Sequence, residues 1–358
     1  KKDTKIAPGE FDLSDWKSLG TQFLIKSGVE LAGSNATLFG YMYDVKGGKP
    51  ILQKKYLGKA SDLDTLAHLF ANHVVETLTG MPGIFLTQIS MACTRGKTKE
   101  IYAMNFDGTN VRQITHHRSI AFAPAWHPDG SRLAYSVYAR HKGNIKNIDL
   151  FEYNFKTSKT RLLSNNRGMN SGAAYSPDGN QIALTMSFLG NPEIFVLDPA
   201  TLKATRLTKS FGMDVDPVFS PDGKWIAYSS TRSGKPMLYR QLLSNPNKVD
   251  RLTYAGRYNS TPSWSPQNNK IAFASWITTY FDIFIMNPDG TKLERLTKDQ
   301  GSNEDPSFSP DGQYIAFSSN RTGEKNVYVM NVDGTFQKRL TYGLGDCVAP
   351  RWSGTPKF

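Results

Sequence analysis

Asp216-Pro-Val-Phe-Ser-Pro-Asp-Gly223, followed at once by Lys224-Trp-Ile-Ala-Tyr-Ser229, decides the fold. Proline fixes the first corner of a tight turn and glycine accepts the left-handed backbone that closes it. Pro221-Asp222-Gly223 therefore joins two alternating apolar runs into a hairpin. The phrase recurs as Ala-Pro-Ala-Trp-His-Pro-Asp-Gly at 123–130, Gly-Ala-Ala-Tyr-Ser-Pro-Asp-Gly at 172–179, Thr-Pro-Ser-Trp-Ser-Pro-Gln-Asn at 261–268 and Asp-Pro-Ser-Phe-Ser-Pro-Asp-Gly at 305–312. A truncated copy, Ala-Pro-Arg-Trp-Ser-Gly, occupies 349–354. The turn prolines 128, 177, 221, 266 and 310 are spaced by 49, 44, 45 and 44 residues. Each full copy leads into an Ile/Leu-Ala-aromatic or Ile-Ala-Leu run, then a third run such as Asp282-Ile-Phe-Ile-Met286, then a fourth ending in Arg-Leu-Thr at 206, 251, 295 and 339. Four short strands in about 45 residues, repeated, describe propeller blades.

Strand counting predicts closure. The first strand type occurs six times, but the copy at 349–353 has no partner after it. The second type begins with Thr87-Gln-Ile-Ser-Met-Ala-Cys93, which has no first strand before it. Joining the strand near 348–353 to 87–93 completes a six-bladed all-β ring over residues 83–358 and removes the open edges that would otherwise invite aggregation. Aligning Ile89 with Ile315 puts Cys93 where Ser319 stands, and Cys347 where Asn303 stands. The two cysteines are then cross-strand neighbours and are expected to form a disulfide across the seam; the alternative is a pair of buried free thiols.

Residues 1–82 read as a small α/β domain: three alternating runs near 21–31, 35–45 and 50–57, then a helix over 61–79. Ser61 with Asp64 suggests a capping box, Leu63, Leu66, Ala67, Phe70, Val74 and Leu78 share one face, and Gly80 ends the helix. One helix covers only part of such a sheet, so the domain is expected to be incomplete at its N-terminus.

Of the net charge of +12, residues 1–85 hold only +1, with ten Lys against six Asp and three Glu. The basic excess therefore belongs to the repeats, and charge alone is compatible with acidic, membrane-surface or nucleic-acid partners. No apolar run is long enough to span a bilayer, so no membrane insertion is expected. Catalytic templates fail. There is no His-Glu-x-x-His, and His68 and His73 are five apart and turned to different faces; no Gly-x-Ser-x-Gly elbow, P-loop or dinucleotide fingerprint occurs; His116-His117 reads as an exposed loop pair.

What is left is the mouth of the channel. Residues leading each innermost strand surround one opening: Asn170 with Ser171, Asp214 with Asp216, Asn259 with Thr261, Asn303, Glu304 with Asp305, and Asp346. Loops reaching the same end hold Arg140, Lys142, Arg232, Lys235, Arg321 and Lys325. An acidic centre inside a basic rim suits a protein partner better than a nucleic-acid track. No catalytic residue, metal ligand or cofactor is assigned; the acidic mouth has the charge to attract calcium, but no ligand set supports it.

The sequence also resembles the TolB family, periplasmic propellers of the Tol-Pal system in Gram-negative bacteria. The resemblance rests on Ala67-His68 through Val75, Leu78-Thr79-Gly80 and Gly83-Ile84-Phe85-Leu86-Thr87, followed by the Ser-Pro-Asp-Gly copies with Arg-Leu-Thr endings. It implies a non-enzymatic, monomeric adaptor in the periplasm that binds the lipoprotein Pal at the propeller mouth and serves outer-membrane integrity and cell division. It further implies contact with TolA through an extreme N-terminal segment expected to be absent from this chain, and colicin-like peptides as competitors for the mouth. The family's Pal-facing positions match Asn170, Ala173, Val215 and Asp216; Asn170 replaces a histidine and Asp216 a glutamate. The blades alone are shared with hydrolase and sugar-lyase propellers, which supply the alternative reading.

Overall fold

The computed structural model describes residues 6–267 and 269–355, so Asn268 of the variant turn lies outside the described residues. The chain divides into two compact units, 1–86 and 87–358. The division falls four residues past the expected 82/83 boundary, because the Phe85 amide donates to Asn72 Oδ1 of the helix at 3.0 Å and holds 83–86 to it.

In the first unit a short helix α1 (Ser14–Ser18) precedes strands β1 (Phe23–Ala32), β2 (Asn35–Asp44) and β3 (Lys49–Lys59), which pair antiparallel in chain order. Gly48 takes a positive φ of 69° in the tight turn to β3, and its amide donates to the Asp44 carbonyl. Helix α2 (Leu63–Thr79) buries Leu66, Phe70 and Val74 against Leu38, Met42 and Leu52. Two expectations fail here. Ser61 donates to Asp62 rather than capping the helix, because a 3₁₀ turn over Ala60–Asp62 runs straight into it. Ala67 and Leu78 are exposed, since the buried stripe is narrower than the apolar one. Gly80 ends the helix at φ 71° as expected.

The second unit holds six four-stranded antiparallel sheets among the described residues and is an all-β propeller. The innermost strands are Ala121–Trp126, Asn170–Tyr175, Asp214–Phe219, Tyr258–Trp264, Asn303–Phe308 and Cys347–Trp352. Each contacts the next, and the last contacts the first. In the sheet that joins the first and last strands of this unit, Cys347–Trp352 pairs with Gln88–Arg95 with Cys347 opposite Cys93. The two sulfurs are bonded and the Cα atoms are 4.1 Å apart, near the spacing of a close antiparallel pair.

Two repeated phrases carry the scaffold. In Ser-Pro-Asp-Gly, the Ser176, Ser220 and Ser309 hydroxyls donate to Asp178, Asp222 and Asp311, and each Asp also accepts the amide two residues on. Glycines 179, 223 and 312 follow at φ 67–77°. In Arg-Leu-Thr, the Thr208, Thr253, Thr297 and Thr341 hydroxyls each accept an amide of the third strand at 2.9 Å. The arginines reach buried groups there, Arg206 to Glu193, Arg295 to Asp282 and Arg339 to Asn326. The fourth strand is only two to seven residues long, and these side chains pin it where backbone pairing is sparse.

Candidate functional site

Antiparallel order sends every connection from second to third strand, and every link to the next sheet, to the end where the innermost strands begin. The other end carries the Pro-Asp-Gly turns. The innermost strands share a deformation. Pairing skips from Val215↔Ser229 to Val218↔Ala227, and the same two-for-one bulge recurs in the other five sheets. Its first residue is left-handed each time: Ala123, Gly172, Asp216, Thr261, Asp305 and Ala349, with φ between 48° and 62°. In five of the six the next residue is proline, which has no N–H to orphan at the gap in the ladder. Gly172 starts the one copy without proline; a Cβ there would press on Asp216 Oδ1 at 3.2 Å.

The bulges line a central cavity of about 250 Å³, walled by Ala173, Asp216, Thr261 and Arg351 among others. Solvent reaches part of Asp216, but protein surrounds it, and desolvation pushes its carboxyl up to about 6, with Arg351's charge pulling down and Asp305's pushing up. Asp305 accepts from the Ser318 hydroxyl and the Ala349 amide, each at 3.2 Å. The Thr261 hydroxyl is buried with no protein partner.

The bulge sorts the expected mouth residues into two groups. Asn170, Asp214, Asn259 and Asn303 stand before it and are buried to 1% exposure or less, which withdraws them from partner contact. Asn170 donates to the Ile148 and Asn166 carbonyls at 2.7 Å; Asn259 donates to the Ala255 carbonyl at 2.9 Å; Asn303 accepts from Arg321 at 2.8 Å; Asp214 pairs with Arg232 at 3.0 Å. They are locks at the strand entries. Ala173, Asp216, Thr261 and Asp305 reach the channel wall or lie at its bulges, Val215 is half-buried, and Asp346 is exposed, accepting the Lys325 amide at 2.7 Å.

The free basic rim is corrected in the same way. Arg232 lies over Tyr239 and Arg321 over Tyr328, each engaged with its strand-entry residue, and Lys325 pairs with Glu304 at 2.9 Å. Arg140, Lys142 and Lys235 are exposed. The histidine pair is not an exposed pair either: His117 bonds the Tyr135 hydroxyl at 3.0 Å between the Tyr135 and Phe151 rings, and burial lowers its pKa. Among the described residues no group of three or more His, Cys, Asp or Glu converges as a metal site.

Sequence reasoning missed the apolar content of the loop-bearing end. Phe211 is 90% and Tyr254 74% exposed, with Leu189, Met213, Tyr280 and Tyr342 also exposed in loops at that end. Their signal was present: each follows an Arg-Leu-Thr or a second strand, and Tyr254 and Tyr342 stand at the same place in two copies of Arg-Leu-Thr-Tyr. Rigid strands thus hold a rim of aromatic groups around an acid-bearing shaft, an arrangement for gripping a macromolecular surface.

The TolB β-propeller domain model matches residues 75–281 and 258–358. The chain belongs to the TolB β-propeller family. It is similar to the Tol-Pal system protein TolB of Geobacter sulfurreducens, 40% identical over 128 residues, or 36% of this chain and 30% of the relative. It is also similar to the TolB homolog of Chlorobium chlorochromatii, 40% identical over 125 residues covering 28% of that protein. The matched stretches thus span under a third of these relatives' length. Among solved structures, TolB from Acinetobacter baumannii superposes with a TM-score of 0.84 at 25% identity, covering 99% of this chain and 89% of that one.

Proposed function

We propose that this chain is the TolB component of a Tol-Pal envelope system, a non-enzymatic periplasmic adaptor whose six sheets form a six-bladed propeller that docks the lipoprotein Pal on its loop-bearing end. The observation that carries the reading is the rim of exposed aromatic side chains, Phe211 and Tyr254 foremost, around the shaft containing Asp216. Family membership and the Tol-Pal names of the relatives support it. Contact with TolA through an N-terminal segment, a role in outer-membrane integrity and cell division, and capture by colicin-like peptides belong to the same reading. It invokes no cofactor or nucleic acid, and no helix among the described residues is long and apolar enough to cross a membrane.

Calorimetric titration with the soluble domain of Pal tests it. Truncating Phe211 and Tyr254 together to Ala is expected to weaken binding at least about tenfold, the equivalent of roughly 1.4 kcal/mol. Asp216→Lys should weaken it too, by placing a cation beside Arg351. Affinity indifferent to all three changes would remove this end of the propeller from the account.

A further inference from the structure

The 49-residue spacing between Pro128 and Pro177 exceeds every other by at least four, and the structure shows where the extra residues went. Strands Arg132–Arg140 and Lys146–Asn154 keep pairing beyond Val137↔Asp149 through Tyr138↔Ile148, Ala139↔Asn147 and Arg140↔Lys146. The corresponding pairs of the next three sheets stop at Met186↔Glu193, Ser230↔Met237 and Trp276↔Phe281. At about 3.4 Å per residue the hairpin stands roughly 7–10 Å further out on the loop-bearing end than those three, and the hairpins that end at Arg95↔Thr98 and Thr322↔Glu324 extend with it.

Its tip is Arg140-His-Lys-Gly-Asn-Ile-Lys146, and Arg140, Lys142 and Lys146 are all exposed. Backbone bonds tie its base to the neighbouring loops. The Lys99 amide donates to the Ser119 carbonyl at 2.9 Å, the Tyr138 amide to Ile120 at 3.0 Å, and the Ser119 hydroxyl to the Tyr138 carbonyl at 2.7 Å. Those loops bring exposed Arg95, Lys97 and Arg118. No acidic residue occurs in 94–99, 114–120 or 138–148. Two flanking acids are spent, Glu100 buried and accepting from the Arg118 amide and Thr115, and Asp149 buried against His141 and Asn147; the exposed Asp346, whose carbonyl accepts the Thr94 amide, is the one acid at the sector's edge among the residues named here. Six cations are thus gathered without a counter-charge in their own segments. Between them stand exposed Ile120, Tyr138 and Ile145.

We infer that this sector, led by the extended hairpin, docks on an anionic phospholipid surface. The sector projects, and none of the residues named here lines the central cavity or the apolar and basic clefts elsewhere on the propeller. An acidic peptide needs a groove that orders it; a fluid sheet of phosphates meets separate cations on projecting loops without ordering them, and takes isolated apolar tips such as Ile145 and Tyr138 at its headgroup level. The contact is peripheral and electrostatic, with nothing spanning the bilayer. It stands independently of the docking of Pal, which uses aromatic groups on other sheets.

The test is co-sedimentation of the full chain with phosphatidylcholine vesicles, with and without about one-third phosphatidylglycerol, at low and at physiological salt. Expected is pelleting on the anionic vesicles only, weakened by salt. It should fall at least about tenfold in a variant carrying Arg140→Glu, Lys142→Glu and Lys146→Glu, and less in Ile145→Ser. Circular dichroism should be unchanged, because these side chains are exposed, and a second variant, Arg95→Glu with Lys97→Glu, tests the same sector on another hairpin should the first misfold. Absence of pelleting on anionic vesicles, or pelleting unaffected by both charge reversals, overturns the proposal. So does retention of fluorescent poly-glutamate at the same residues without vesicle binding, which would assign the sector to an acidic polypeptide.

Discussion

The two ends of the propeller are built from the same strands and obey different rules. At the turn end, Ser176, Ser220 and Ser309 do the same thing with Asp178, Asp222 and Asp311, and the turns into the fourth strands expose Leu202, Leu293 and Phe336 at matching places. At the loop end the connections vary more: one is a basic hairpin and one exposes Phe211, although the Arg232–Asp214 device returns as Arg321–Asn303 and Arg251–Tyr254 as Arg339–Tyr342. Repetition marks what holds the ring together, and the proposed docking of Pal rests on side chains such as Phe211 that stand outside it.

The sharpest way to break the comparison is to damage a repeated, buried device. Asp282→Ala strands Arg295, Thr297 and Asn303, which converge on its carboxylate, and should cost about 3–5 kcal/mol in urea unfolding. A mild loss would mean that the Arg-Leu-Thr pins are ornamental. Replacing Cys93 and Cys347 together by Ser opens the seam and should cost about 2–5 kcal/mol, read by the same melts with and without reductant. Reductant should do nothing further to that variant.

Asp216 lies between the two classes, a functional-end acid held in a repeated bulge. Its pKa in the fold exceeds that of the unfolded chain, so the native state binds the proton more tightly and the cost of the buried charge is felt only when it ionises. Stability contributed by the proton is full below about pH 4 and lost as pH rises through about 6. Asp216→Asn should therefore stabilise the chain by on the order of 1–3 kcal/mol above pH 6 and leave it unchanged below pH 4. An identical pH profile in both proteins would place the carboxylate in water. The smallest effect belongs to the loop end: Phe211→Ala should shift stability by no more than about 0.5 kcal/mol while weakening the proposed docking of Pal.

The same division decided what could be read from the sequence. Periodic features were legible because each copy checks the others; even the cysteine partnership followed from register in a sister hairpin. The channel lining was not, because a two-for-one bulge inverts the alternation that sorts side chains between faces. Asn170, Asp214, Asn259 and Asn303 therefore looked available and are buried, whereas Asp216 keeps its place in the shaft. Gly172 and the five residues before proline were the visible trace of that bulge. Phe211 has no counterpart in the other copies, whereas Tyr254 and Tyr342 follow Arg-Leu-Thr alike and are both exposed.

The pairing of Cys347–Trp352 with Gln88–Arg95 has a consequence in time as well as in space. Five sheets can assemble in order as the chain emerges, each from neighbouring residues. The remaining sheet waits for its last six residues, which must find a partner more than 250 positions away. Until then Gln88–Arg95 is an unpaired apolar edge, and the nascent protein is at its most vulnerable to wrong pairing. The late strand makes closure of the seam the step that commits the propeller, so a chain cut before Cys347–Trp352 should be aggregation-prone rather than slightly smaller.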